Sequence, residues 1–285
     1  MKFALCNEVL QPLPFAEQCK LAAALGYDGL EVAPFTLAED PAALGDAEVA
    51  AIRRTAEDHG LQIFGLHWLL VAPAGLSIVS PDAALRQRTK QVMVRLIELC
   101  AALGGSYLVH GSPKQRSVPA GSTREQAWHH ARECLSGAAA AAARCGVSYC
   151  LEPLSPRETD LFNTVAEAAR MVEEIGQPAL RTMVDCSAAG QAEGEPVHAL
   201  LQRWLPTGII GHVQVNDPNR RGPGQGDLDF GPILRVLRAQ EQHFPGIVAV
   251  EPFDYVPDGP GCAARAIGYL RGVLQGLDAG KDDGG

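Results

Sequence analysis

The chain has 285 residues, 47% hydrophobic and 20% charged, with 24 Lys and Arg against 33 Asp and Glu for a net charge of −9. That balance belongs to a folded globular protein, and an acidic chain without a basic run is poorly suited to a phosphate backbone. Its 30 glycines and 20 prolines follow no period, and no repeat of roughly 20 to 50 residues is present, which excludes collagen-like and solenoid architectures.

The N-terminal stretch MKFALCNEVLQPLPF lacks the apolar core of a secretory signal. The longest apolar stretch, Phe64 to Val79, is broken by His67 and Pro73 and is too short to cross a bilayer. Eight cysteines, at 6, 19, 100, 134, 145, 150, 186 and 262, include no CxxC pair. They read as small buried hydrophobes in a reducing compartment. A cytoplasmic protein with neither a membrane nor a nucleic-acid partner is expected.

Strand-like and helix-like segments alternate eight times. Strands are predicted at Phe3–Cys6, Gly29–Val32, Gln62–Leu66, Tyr107–Val109, Val147–Leu151, Arg181–Val184, Ile209–Val215 and Ile247–Val250. Helical spacing fills the gaps, as in Ala84–Leu103, where Val92, Leu96, Ile97 and Cys100 recur at three and four residues. Capping boxes of Ser122 with Glu125 and of Thr164 with Glu167 predict two helix starts. Gly26, Gly60, Gly104, Gly146 and Gly176 predict left-handed helix stops. Strands apolar on both faces and separated by helices imply a parallel sheet, and eight units in about 250 residues imply an α/β fold of one (β/α)8 TIM barrel. The barrel is expected over residues 1–277, with 278–285 as a flexible tail. An open doubly wound sheet fits less well, because the first strand is followed by no glycine-rich phosphate loop.

Each strand closes on polar residues: Asn7 and Glu8, Glu31, His67, His110, Glu152, Asp185, His212 with Gln214, and Glu251. In a parallel barrel the C-terminal strand ends meet on one rim, where active sites are built. Glu152, Asp185 and Glu251 would there repel one another unless a cation lay between them. One divalent metal ion that prefers oxygen ligands (Mn, Mg or Co) removes the conflict. His212 and Gln214 share a strand face, and either could complete the ligand set. Glu31 and His67 could hydrogen-bond substrate hydroxyls or pack the rim. His110 is expected to face the pocket, and Trp68 could form part of its wall.

The segments CLEPLSPRET, MVDCS, GHVQVNDPNRRGPGQGDLDF and VAVEPFDY together resemble the xylose isomerase-like TIM-barrel family of sugar isomerases and epimerases. Within it the chain is most similar to the D-tagatose/D-psicose 3-epimerases and the hydroxypyruvate isomerases. The resemblance spans nearly the whole chain, with its motifs concentrated between Glu152 and Tyr255. It implies metal ligation by Glu152, Asp185, Gln214 and Glu251, which leaves His212 to the substrate. Gln214 stands where the 3-epimerases carry histidine and the hydroxypyruvate isomerases carry glutamine. Glu158 and Arg220 match substrate-contacting positions. Three residues beyond the sixth-strand aspartate the ketose epimerases usually carry a histidine, whereas here Asp185 is followed by Cys186-Ser187-Ala188. Dimers and tetramers are frequent in the family, so a homo-oligomer is expected.

The implied reaction is C3 epimerisation of a free ketose through an enediolate, with Glu152 and Glu251 as acid and base. A metal would stabilise the developing charge as a Lewis acid, and a glutamate beside it would take the proton. Return of the proton to the neighbouring carbon would instead make a ketose–aldose isomerase, and loss of a hydroxyl a dehydratase of a polyol or hydroxy acid. Arg220 is the one obvious pocket-facing arginine, so an uncharged sugar substrate is expected rather than a phosphate.

Overall fold

The apolar runs pair as their patterning requires. In the computed structural model, which describes residues 1–282, the strands are β1 Lys2–Cys6, β2 Gly29–Val32, β3 Gln62–Leu66, β4 Tyr107–His110, β5 Ser148–Leu151, β6 Leu180–Asp185, β7 Ile210–Val215 and β8 Ile247–Val250. Each lies within one residue of its predicted bounds. Neighbours pair in parallel in chain order, and β8 closes onto β1, so the fold is a single (β/α)8 TIM barrel.

The helices are α1 Phe15–Leu25, α2 Asp46–Asp58, α3 Ala83–Ala102, α4 Arg124–Cys145, α5 Val165–Ile175, α6 Cys186–Ala192, α7 Val197–Trp204, α8 Phe230–Ala239 and α9 Gly259–Asp282. None of the described helices is long and apolar enough to cross a membrane. The stripe on α3 buries Val92, Leu96, Ile97 and Cys100, and burial of each large aliphatic side chain contributes roughly 1.5–3 kcal/mol. All five glycines expected at helix stops have φ between 67° and 88°. Thr164 caps α5 by accepting from the Glu167 amide at 3.2 Å. At α4 the box is Thr123 with Gln126, one residue beyond the expected Ser122 and Glu125. Two overlapping boxes exist there, and local pattern does not rank them.

The described part of the expected tail is helical. Residues from 278 continue α9 to Asp282, held in part by Arg238 Nη2 at 2.5 Å from Asp278 Oδ1. The remainder of the expected tail, 283–285, lies outside the described residues. Two register shifts set which side chains meet inside the barrel. One lies beside Glu31 in the β2–β3 pairing, and the other between Thr182 and Met183 in the β6–β7 pairing. Beyond the second shift, Met183 pairs with His212 and Asp185 with Gln214.

Candidate active site

Three strand ends of the second half bring their acids together. Glu152 follows β5, Asp185 ends β6 and Glu251 follows β8; all three are buried, with one oxygen from each within 4.8 Å of the others. Close approach at Glu152 depends on Gly111, where any Cβ would run into the Glu152 carboxylate. Arg116, itself buried, donates from Nη1 to the carbonyl oxygens of Glu152 (2.5 Å) and His110 (3.3 Å), fixing these strand ends.

Burial governs the charge of the cluster. Without a cation it pushes the Glu152 carboxyl well above its ordinary range, and the nearby Glu251 and Asp185 add to the effect. Asp185 is raised to about 7 by burial, although the amide of Ala188 (2.6 Å) and the Asn216 side chain (2.7 Å) oppose the rise. Glu251 is raised to about 8 by burial, against the pull of His67. Glu251 Oε2 and Gln214 Oε1 are buried with no hydrogen-bond partner among the described residues. Three crowded carboxylates and an unpartnered amide oxygen on the neighbouring strand form an all-oxygen donor set, which fits a hard divalent cation.

A narrow pocket opens above the acids, lined by Trp68, Gly111, Pro113, Glu152, Leu154, Glu158, Glu251 and Phe253. Glu158 therefore reaches the mouth, where its Oε1 lies 3.9 Å from Arg220. Arg220 stacks over Phe253 at 4.7 Å and lies 3.8 Å from Asp254. Trp68 meets the same ring edge-on at 6.5 Å. Trp68 (φ 52°) and Arg220 (φ 72°) both adopt left-handed backbone, a costly conformation that clusters at functional sites.

The histidines sit differently from expectation. His67 is fully buried and held at both ring nitrogens: Nδ1 is 2.9 Å from Glu251 Oε1 and Nε2 is 2.9 Å from Glu8 Oε2. Burial alone would lower its pKa, but Glu8, Glu251 and Glu31 together raise it well above the usual imidazole value. No ring nitrogen remains for a substrate. His212 lies deeper in the barrel, with Nε2 2.8 Å from Glu31 Oε2 and its ring stacked on Tyr107 at 4.0 Å. His110 is turned away altogether. Tyr107 reaches across the barrel to β7, and His110, three residues further along the same strand, has the opposite parity. Its Nδ1 bonds Tyr149 Oη at 2.7 Å, and burial, helped by the Arg116 charge, lowers its pKa to about 3.

Glu31 does not reach the pocket either. It is fully buried, and its carboxylate accepts from Tyr107 Oη and Gln214 Nε2, each at 2.6 Å. Burial would raise its pKa, but His212 and the other partners bring it to about 2. Sequence reasoning missed Asn216, whose Nδ2 links Asp185 to the Glu251 carbonyl oxygen at 2.7 and 2.8 Å. The alternation His212, Gln214, Asn216 was the available signal. Glu8 was already among the polar strand ends, whereas for Tyr107 and Arg116 as supporting residues no local signal exists.

The profile of the xylose isomerase-like TIM-barrel family matches residues 19–273, most of the chain. The protein belongs to that family. Over 279 residues it is 30% identical to the D-psicose 3-epimerase of Agrobacterium fabrum, covering 94% of this chain and 89% of that protein. Over 204 residues it is 27% identical to the L-ribulose 3-epimerase of Mesorhizobium japonicum, covering 70% and 64%. A solved L-ribulose 3-epimerase structure superposes with a TM-score of 0.83 at 20% identity, over 99% of this chain and 97% of that one, a likeness of fold. Like these relatives, this family member is an enzyme of the isomerase class.

Proposed function

We propose that this barrel epimerises a free ketose at C3 with one divalent metal ion, and that Glu152 and Glu251 carry the proton. The observation that carries the reading is the buried triad of Glu152, Asp185 and Glu251 beneath a pocket that both glutamates line. The names of the relatives, D-psicose and L-ribulose 3-epimerase, support the choice of C3. Glu152, Asp185, Gln214 and Glu251 would hold the ion, which when bound supplies Lewis-acid stabilisation of negative charge on substrate oxygens.

The remaining work falls to the side chains. Glu251 commits Oε1 to His67 and keeps Oε2 without a partner. A carboxylate oxygen takes the C3 proton while the C–H electron pair moves toward the C2 carbonyl. A proton returned by the other glutamate to the opposite face restores the ketose with C3 inverted. The Trp68 and Phe253 faces suit the C–H face of a sugar, and Glu158 can accept from its hydroxyls. Arg220 is half exposed and already within 4 Å of Glu158 and Asp254, which favours an uncharged sugar over a phosphate. A homo-dimer or tetramer in the cytoplasm completes the proposal.

The test is a panel of free and phosphorylated ketoses and aldoses with Mn²⁺ in D₂O. A C3-epimeric ketose carrying deuterium at C3 is expected; formation of no epimer from any free ketose would refute the reading. Ala188, where the ketose epimerases usually have histidine, favours a second reading as a ketose–aldose isomerase, which an aldose product would identify.

A further inference from the structure

Gln214 is the ligand whose orientation the chain must choose, because a carboxamide is an acceptor at one end and a donor at the other. We propose that Glu31, on β2, is a positioning residue that locks this amide with its oxygen toward the acid cluster; the inference rests on the metal-centre reading above. Glu31 Oε1 lies 2.6 Å from Gln214 Nε2. A carboxylate can only accept, so the amide must present its NH₂ to Glu31 and its oxygen to the other side. That oxygen is buried and unpartnered, and Gln214 stands in register with Asp185, a member of the triad.

Without Glu31, the amide would relax the other way in the metal-free protein. Its NH₂ would turn to the acids, satisfying both sides and closing the place of a cation with two N–H donors. Glu31 opposes that turn because it is itself immobilised. Its second oxygen accepts from Tyr107 Oη at 2.6 Å and lies 2.8 Å from His212 Nε2, while Cys6 Sγ lies 3.5 Å from the first. Gly65 makes room for this arrangement, since a Cβ there would press on the Tyr107 ring. Three strands, β1, β4 and β7, thus supply donors to one carboxylate, carried on β2, that touches no part of the pocket.

The experiment is calorimetric titration of Mn²⁺ into the metal-free full chain, with no activity needed. The wild type should bind one ion. Glu31→Gln, whose amide can donate to Gln214 Oε1 and so permit the turn, should bind about 10–100-fold more weakly, the usual range for residues that orient a metal ligand. Gln214→Ala should lose affinity too, and adding Glu31→Gln to it should cost nothing further. Tyr107→Phe, which removes one restraint on Glu31 but leaves its carboxylate on Gln214, should lose less affinity than Glu31→Gln. Unchanged affinity in Glu31→Gln, additive losses in the double variant, or an equal loss in Tyr107→Phe would each overturn the proposal. If Glu31→Gln does not fold, a crystal structure of the Mn²⁺-loaded wild type decides it. Gln214 Oε1 on the ion with Nε2 on Glu31 supports the proposal, and any other orientation overturns it. A wild type that binds no ion refutes the metal centre itself, a separate outcome.

Discussion

Strands β5 to β8 turn Glu152, Asp185 and Glu251 toward one another at the mouth, with Gln214 alongside. Strands β1 to β4 carry equally polar ends, yet none of their carboxylates or imidazoles joins that triad. Glu31 holds Gln214, and His67 holds Glu251 while bridging to Glu8. His110 leaves the barrel interior for Tyr149. Under the proposed function, the second half presents the chemistry and the first half orients it. A buried carboxylate offers two oxygens, and a histidine or amide that occupies one decides which remains for the reaction.

The largest effect should come from the second half. Glu152→Gln and Glu251→Gln each keep an oxygen for a metal but delete the base, so kcat should fall roughly 10²–10⁴-fold. Steady-state kinetics beside Mn²⁺ titration checks this, and near wild-type turnover with metal bound would remove both residues from the mechanism.

The first half is tested by contrasting its two histidines. His67→Phe frees Glu251 from its only side-chain hydrogen-bond partner among the described residues and leaves Glu8 facing it. Metal affinity should fall about 10–100-fold, and His67→Gln should recover part of the loss. If His67→Phe leaves metal affinity and kcat intact, the orienting role of the first half is wrong.

A pH experiment sharpens the same contrast. Folded pKa values of about 7 for Asp185 and about 8 for Glu251 lie above the unfolded values, so the folded metal-free protein binds more protons than the unfolded chain. Its stability should therefore be greatest near pH 5 and fall as pH rises toward 8, by on the order of 1 kcal/mol per unit for each group. The raised pKa of His67 acts in the same direction above pH 6.5. Glu31, lowered to about 2, has the opposite sign, but its window lies below pH 4.5. Thermal melts with and without Mn²⁺ should show a metal-induced gain that grows from pH 5 to 8. A metal-free Tm that is flat or rising over this range contradicts the carboxylate cluster.

The smallest effect is expected at His110. His110→Phe loses the bond to Tyr149 and should cost about 1–3 kcal/mol of stability, while kcat/KM stays near wild type. A large kinetic loss without a stability change would return His110 to the site.

Much of the fold was legible because strand pattern is local. Apolar residues on both faces, glycine stops and a polar residue after each run recur within short windows, and the strands follow them to within one residue. The acids were legible for the same reason, since Glu152 and Glu251 lie one residue beyond their strands and Asp185 ends its own. His110 was misread because facing inward or outward is a matter of parity. Parity depends on where Tyr107 points, and Tyr107 points toward a histidine over a hundred residues away. The partners of His67 and Glu31 were not legible, because they lie 184 and 183 residues away, on strands that only barrel closure brings opposite.

By itself the sequence determined that eight parallel strands alternate with helices and that three carboxylates end three of them. Periodicity and turn chemistry act between neighbours and need no tertiary information. Which polar ends face the mouth, which are turned into supports and which leave the interior was decided only by closure and register. A one-residue shift beside Glu31 or Met183 changes which side chains face one another across the barrel, and that contest is settled by long-range burial and hydrogen bonding rather than by any local preference.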